Sequence, residues 1–246
     1  MSSFENKVVL VTGASSGIGT ATALLFAEHG AKVAIVGRNE AKLSQVVNNF
    51  VHKGLSKPLV IKADISKDGD ASETVNKTLK NFGKLDILVN NAGLVRFGSI
   101  LDGNIMSAYD EIMAVNVRAQ IYITSLAAPH LIKTKGNIIN ISSVAGQCVP
   151  LIETLSSYHV SKSALNMFTR AAAKELASHG VRVNSVSPGP VKTDIMENAK
   201  SSMSVEDFKT PLGRVSESVE VAELIMFLAS DKVILFIFQN MYINFL

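Results

Sequence analysis

The chain has 246 residues, 47% of them hydrophobic and 18% charged, with a net charge of +3. That composition suits a globular protein with a large buried core. Lysines and arginines are scattered rather than clustered, which argues against nucleic-acid binding or a charged membrane face. The single cysteine, Cys148, rules out an internal disulfide and a cysteine-based metal cage, and no metal site is expected.

The first residues, Met1 to Asn6, lack the basic start and apolar core of a secretory signal. Val233–Phe238 is apolar but far too short to span a bilayer. The final Asn244-Phe245-Leu246 is not a peroxisomal address. A cytosolic protein without a membrane anchor is the expectation.

The chain opens with an apolar strand over Lys7–Val11, then Thr12-Gly13-Ala14-Ser15-Ser16-Gly17-Ile18-Gly19, then a helix over Ser16–His29. A buried strand, a glycine turn and a helix start form a phosphate cradle: the backbone comes close to the anion, and first-turn N–H groups point at it. Glycines also serve plain turns, but this context favours dinucleotide binding.

Further strands are predicted at Lys32–Val36, Pro58–Ala63, Leu85–Val89, Gly136–Ile141 and Val181–Val186. Helices are predicted at Glu40–His52, Asp70–Phe82, Ile105–Ile132, Ser157–His179 and Ser218–Ala229. Alternating strands and helices predict one α/β domain with a parallel sheet covered on both faces.

After the second strand, Val36-Gly37-Arg38 offers no carboxylate for a ribose 2′-hydroxyl, and Arg38 suits a 2′-phosphate. The expected cofactor is therefore NADP rather than NAD, with a solvated surface charge as the plainer reading of Arg38. Asp64, before Ile65 at the end of the third strand, either accepts from an adenine amino group or caps its own turn. The fourth strand ends in Asn90-Asn91-Ala92-Gly93, where asparagines tie backbones together and Ala-Gly allows close approach.

Asn116 is an amide on the apolar stripe of Ile112, Ala119, Ile123 and Leu126. Taken alone it reads as a structural hydrogen bonder. Ser142-Ser143 follows the fifth strand, and Tyr158 and Lys162 stand four residues apart on one helical face. A tyrosine titrating near pH 10 is a poor acid at neutrality, and a neighbouring ammonium is expected to lower its pKa. His159 reads as a helix-surface residue and Cys148 as a half-buried thiol.

Jointly, Thr12-Gly13-x3-Gly17-x-Gly19, Asn90-Asn91-Ala92-Gly93, Asn116, Ser143, Tyr158-x3-Lys162 and Pro188-Gly189 resemble the short-chain dehydrogenase/reductase family. The likeness covers Lys7 to about Asp231 and is nearest in flavour to the branch reducing 3-oxoacyl thioesters. It implies a Rossmann-like sheet in order 3-2-1-4-5-6 with a seventh strand, assembled as a homodimer or homotetramer.

The resemblance also implies roles. Tyr158 exchanges the proton, Ser143 holds the substrate oxygen and Lys162 bonds the nicotinamide ribose. Asn116 holds a water that links Lys162 to solvent. The cofactor is held by Thr12, Gly13, Ser15, Ser16, Gly17, Ile18, Gly19, Arg38, Asp64, Ile65, Asn91, Ala92 and Gly93, and by Tyr158 and Lys162. Pro188, Gly189, Val191 and Thr193 flank its carboxamide. Asp194–Thr210, with Met196, Met203 and Phe208, is expected to be a mobile substrate lid.

Two departures stand out. The segment between Ser143 and Tyr158 is slightly long for the family. After Asp231 the family has a Thr-Gly turn, a last strand and a Gly-rich end, whereas Lys232 to Leu246 is rich in Ile, Phe, Leu and Asn. Residues 232–246 are therefore expected to replace the family's terminus, with Val233–Phe238 either docking beside strand six or left as an exposed apolar edge. A nucleotide-binding protein without turnover is the rival reading that such an ending allows.

Overall fold

In the computed structural model, residues 4–199, 203–208 and 210–233 are described, together with the backbone of 240–243. Seven strands form one sheet: β1 Val8–Thr12, β2 Lys32–Gly37, β3 Leu59–Lys62, β4 Ile87–Asn90, β5 Asn137–Ile141, β6 Arg182–Pro188 and β7 Asn240–Ile243. The order is β3-β2-β1-β4-β5-β6-β7, and every pairing is parallel.

The helices are α1 Gly17–Glu28, α2 Glu40–His52, α3 Asp68–Phe82, α4 Ile105–Met113, α5 Gln120–Thr134, α6 Ser156–Leu176, α7 Ile195–Asn198 and α8 Ser218–Ala229. The predicted doubly wound sheet is thus observed. The strands β1, β2 and β4 are largely apolar because helices cover both faces, so successive side chains enter opposite cores. By contrast, β5 and β6 also bury Asn137, Asn140, Asn184, Ser185 and Ser187. Val9 and Val11 of β1 pack with Phe26, Leu43, Phe50 and Ile225. Val8 and Leu10 pack with Val75, Ile123, Leu131 and Leu176.

The helix expected over Ile105–Ile132 is interrupted by a π-helical segment, Ala114–Ala119, between α4 and α5. Such bulges widen a helix by one residue per turn and concentrate at functional sites. Asn116 lies inside this one and is fully buried. Periodicity at 3.6 residues cannot register the extra residue.

The chain end differs from expectation. Val233 closes a short 3-10 turn rather than opening a strand, and 234–238 lie outside the described residues. The seventh strand is instead Asn240–Ile243, parallel to β6 with Ser185 opposite Asn240 and Pro188 opposite Ile243. Arg182 anchors the approach to it by donating to the carbonyls of Leu228 at 2.8 Å, Ser230 at 3.1 Å and Val233 at 3.3 Å. A guanidinium there gathers carbonyls that the end of α8 leaves without intrahelical donors.

Candidate active site

A cavity of about 750 Å³ runs along the carboxyl ends of β1, β2, β4, β5 and β6. It lies beside β1, which pairs with β2 on one side and β4 on the other. There the strand order reverses and connecting helices leave in opposite directions, which opens a crevice.

One end of the cavity is the glycine turn. Gly13 and Gly17 adopt φ of 63° and 54°, a backbone region glycine enters at little cost. A Cβ on Gly19 would stand 2.3 Å from Gly13 O and 2.5 Å from Asn91 Nδ2. These glycines let turn, helix and Asn91 share one small space. Asn91 Nδ2 donates to Thr12 O and Gly13 O, while Thr12 Oγ1 accepts from Asn91 N and Ala92 N. The predicted tie between the two strand ends is present. No side chain caps the N-terminus of α1, so its first N–H groups keep their capacity to meet an anion.

Gly19→Ala is expected to destabilise the fold by about 1–3 kcal/mol through overpacking and to weaken nucleotide binding. Gly69→Ala is the control, since a Cβ there meets nothing within 4 Å. Thermal unfolding of both variants checks this; equal midpoints would show that the turn tolerates the methyl.

Arg38, Asp64 and Ile65 line the same end. Asp64 Oδ1 accepts from Ser66 Oγ at 2.7 Å and Ser66 N at 3.2 Å, so the turn-capping role is realised. Burial pushes the Asp64 carboxyl up, but the Ser66 bonds with Arg38 and Lys67 nearby leave it below the usual range.

At the other end Ser143, Tyr158 and Lys162 all line the cavity. Ser143 Oγ accepts from Ala145 N at 3.2 Å, donates to Pro188 O at 3.4 Å and lies near enough to the Tyr158 hydroxyl to pull its pKa down. Lys162 is buried and its Nζ donates to Ile141 O at 2.8 Å. It stands 5.7 Å from the centre of the Tyr158 ring. Burial alone lowers Lys162 to about 8.

The expected lowering of the Tyr158 pKa by Lys162 is not found. Burial pushes the Tyr158 hydroxyl up, and the nearby Ser143 hydroxyl is what pulls the other way. The ammonium is turned to the Ile141 carbonyl, so desolvation of the phenolate wins.

Asn116 uses its amide on the backbone: Oδ1 accepts from Leu94 N at 2.8 Å, and Nδ2 donates to Leu94 O at 2.9 Å and Ser161 Oγ at 3.2 Å. It pins the loop after Gly93 against α6. A Cβ on Gly93 would stand 3.4 Å from Asn116 Oδ1 and 3.7 Å from Lys162 Nζ, so glycine keeps clear the space beside the ammonium. Pro188, Gly189, Val191, Thr193 and Ala92 complete the wall between the two ends.

A buried charge makes Lys162 costly. Its pKa near 8 lies below the ordinary 10.5, so between those values the unfolded chain binds the extra proton and stability rises with pH. Lys162→Met is therefore expected to be more stable than the wild type at pH 7, by at most about 3 kcal/mol. The gain should shrink as pH climbs from 8 towards 10.5. Denaturation at pH 7 and pH 9.5 checks it; a variant less stable at both would show the bond to Ile141 O to be worth more than the buried charge costs.

Several contributors were not legible in the sequence. His159 lines the cavity and its Nδ1 meets Leu155 O at 3.0 Å, so it is not the surface residue expected. Beneath the site Asn90 Nδ2 donates to Asn140 Oδ1 and Thr124 Oγ1, and Asn140 Nδ2 to Thr169 Oγ1. The first asparagine of Asn90-Asn91 was the one available hint. Val95, Leu151, Ile152 and Leu155 join Cys148, Met196, Met203 and Phe208 as the apolar wall around Tyr158.

Comparison with known proteins places this geometry. Residues 13–244 match the family model described as enoyl-(acyl carrier protein) reductase. A crystal structure of a short-chain dehydrogenase/reductase from Caenorhabditis elegans, determined with cofactor, superposes with a TM-score of 0.90 at 34% identity, covering 97% of this chain and 94% of that one. The chain belongs to the short-chain dehydrogenase/reductase family.

The match reaches into the segment after Asp231 that sequence motifs alone left outside it. A Brucella melitensis 3-ketoacyl-(acyl-carrier-protein) reductase complexed with NADH gives a TM-score of 0.88 at 32% identity over 98% of both chains. A 3-oxoacyl-(acyl-carrier-protein) reductase of Thermotoga maritima is 36% identical over 231 residues, 93% of this chain and 92% of that protein. This short-chain dehydrogenase/reductase is an oxidoreductase of the class that uses a nicotinamide cofactor. Among the described residues, no helix is long and apolar enough to cross a membrane.

Proposed function

We propose that this enzyme is an NADP(H)-dependent oxidoreductase acting on ketones and secondary alcohols, with Tyr158 as general acid/base. The observation that carries this reading is the convergence of Ser143, Tyr158 and Lys162 on one end of a cavity whose other end holds the glycine turn and Arg38. When bound, the nicotinamide supplies or accepts the hydride. Residues 12–19 would hold the diphosphate and Arg38 a 2′-phosphate. Asp64 and Ile65 would lie at the adenine, and Asn91, Ala92 and Gly93 at the ribose.

The protein's own work is positioning and proton transfer. Ser143 orients the substrate oxygen beside the Tyr158 hydroxyl. In reduction Tyr158 donates its proton to the oxygen that gains negative charge, and in oxidation it takes that proton back. A pKa raised by burial keeps the proton on Tyr158 at neutral pH, ready for donation in the reductive direction. Lys162 would bond the nicotinamide ribose and bring positive charge near the developing phenolate. Asn116 holds the Leu94 loop and α6 together behind it. The apolar wall of Val95, Leu151, Ile152, Met196 and Phe208 favours carbonyl compounds with a hydrocarbon body.

NADPH oxidation with a panel of diketones, quinones, 3-oxoacyl thioesters and steroids tests the proposal. Turnover of at least one member is expected. Binding of NADPH without turnover of any would favour a nucleotide-binding protein that does no chemistry. We extend the proposal to a cytosolic homodimer or homotetramer; Met106, Ile121 and Met167 leave apolar side chains exposed on α4, α5 and α6, and sedimentation reads the assembly.

A further inference from the structure

Lys42 and Asp194 form an ion pair between segments 152 residues apart in sequence. Lys42 sits in the first turn of α2, four residues after Arg38. Its backbone N–H donates to Asn39 Oδ1 at 3.0 Å, which caps the helix and fixes where the lysine starts. Asp194 precedes α7 and lines the cavity with Ile195 and Met196. Thr193, next to it, is packed on the glycine turn: a Cβ on Gly17 would stand 2.8 Å from Thr193 Cγ2.

The ion pair therefore ties the cavity-lining segment after β6 to the first turn of α2, which stands just outside the cavity beyond Arg38. On one side is the helix that leaves the Arg38 corner, and on the other the segment that follows β6 and passes over the start of α1. Both side chains are only about a third exposed, 36% and 34%, so solvent screens them less than an open surface pair. Arg96 and Arg118 pair elsewhere, with Glu111 and Asp68.

We propose that Lys42 and Asp194 act together as a clasp over the bound dinucleotide, holding residues 193–196 against the cofactor and separating when it leaves. They are positioning residues and exchange no proton or hydride. This inference rests on the NADP(H) reading above, and its consequence is kinetic. The pair must part for the dinucleotide to leave, so it sets part of the barrier to release.

The test is the dissociation rate of NADPH, followed by the loss of its protein-enhanced fluorescence on displacement by excess NADP⁺. Lys42→Met and Asp194→Asn are each expected to speed release by about three- to fivefold, the size of a partly exposed ion pair. The double variant should be no faster than either single one, because both remove the same interaction. Unchanged rates in both single variants would overturn the clasp. Faster release in Lys42→Met alone would also overturn it, since Lys42 would then touch a phosphate directly. Effects that multiply in the double variant would do the same. A wild-type protein that binds no NADPH would overturn the cofactor reading and the clasp together.

Discussion

Tyr158→Phe is expected to lower turnover by about 10² to 10⁴ while leaving NADPH binding nearly unchanged. The substitution deletes the transferable proton and the hydroxyl that faces Ser143 but keeps the ring. The T-shaped contact with His159, 6.2 Å between ring centres, and the Lys162 ammonium 5.7 Å from the ring survive it. Loss of a raised-pKa hydroxyl from a partly buried position leaves no orphaned charge, so the fold should hold. Steady-state kinetics beside a binding isotherm separate the two effects. A variant with wild-type turnover would show that the proton comes from elsewhere, with Lys162 and His159 the titratable groups beside the ring.

The second large effect concerns the cofactor. The wild type is expected to bind NADP(H) more tightly than NAD(H), and Arg38→Asp to reverse that order. A charge-assisted hydrogen bond to a phosphate contributes roughly 1.5–3 kcal/mol, about ten- to a hundredfold in affinity. Arg38 also stands close enough to Asp64 to lower its pKa. Replacing it by Asp would set two carboxylates at the corner where a 2′-phosphate would sit, adding repulsion to the lost attraction. Dissociation constants for both cofactors with both proteins check this. Equal constants in the wild type would make Arg38 the solvated surface charge that its position also allows.

How much of this was legible in the chain depended on the range of the interactions. The parallel sheet with its covered faces and the cavity ends followed from short signals: apolar runs, three glycines, and a tyrosine and a lysine one helical turn apart. The strand order came only with the family resemblance. The tie of Asn91 to Thr12 and Gly13 was legible because asparagine at a strand end can bond a neighbouring backbone. What escaped depended on where distant segments meet. Lys162 was expected to tune Tyr158, but its Nζ found the Ile141 carbonyl 21 residues away. The π-helical segment around Asn116 adds a residue that periodicity averages out. His159 joins the cavity together with Leu151, Ile152 and Leu155 of the segment between Ser143 and Tyr158, whose course periodicity does not give. The seventh strand escaped for the opposite reason. Val233–Phe238 has the stronger local β signal, yet the strand beside β6 is Asn240–Ile243, placed after the turn that Arg182 anchors.

The central claim is that a hydride passes between the nicotinamide and a substrate carbon in this cavity, with the proton handled by Tyr158. NADPH carrying deuterium at C4, on one face and then on the other, measures that transfer directly. With any carbonyl compound that supports turnover, mass spectrometry of the alcohol is expected to find one deuterium on the former carbonyl carbon for one labelled face and none for the other. Product without deuterium from either labelled face would contradict the account.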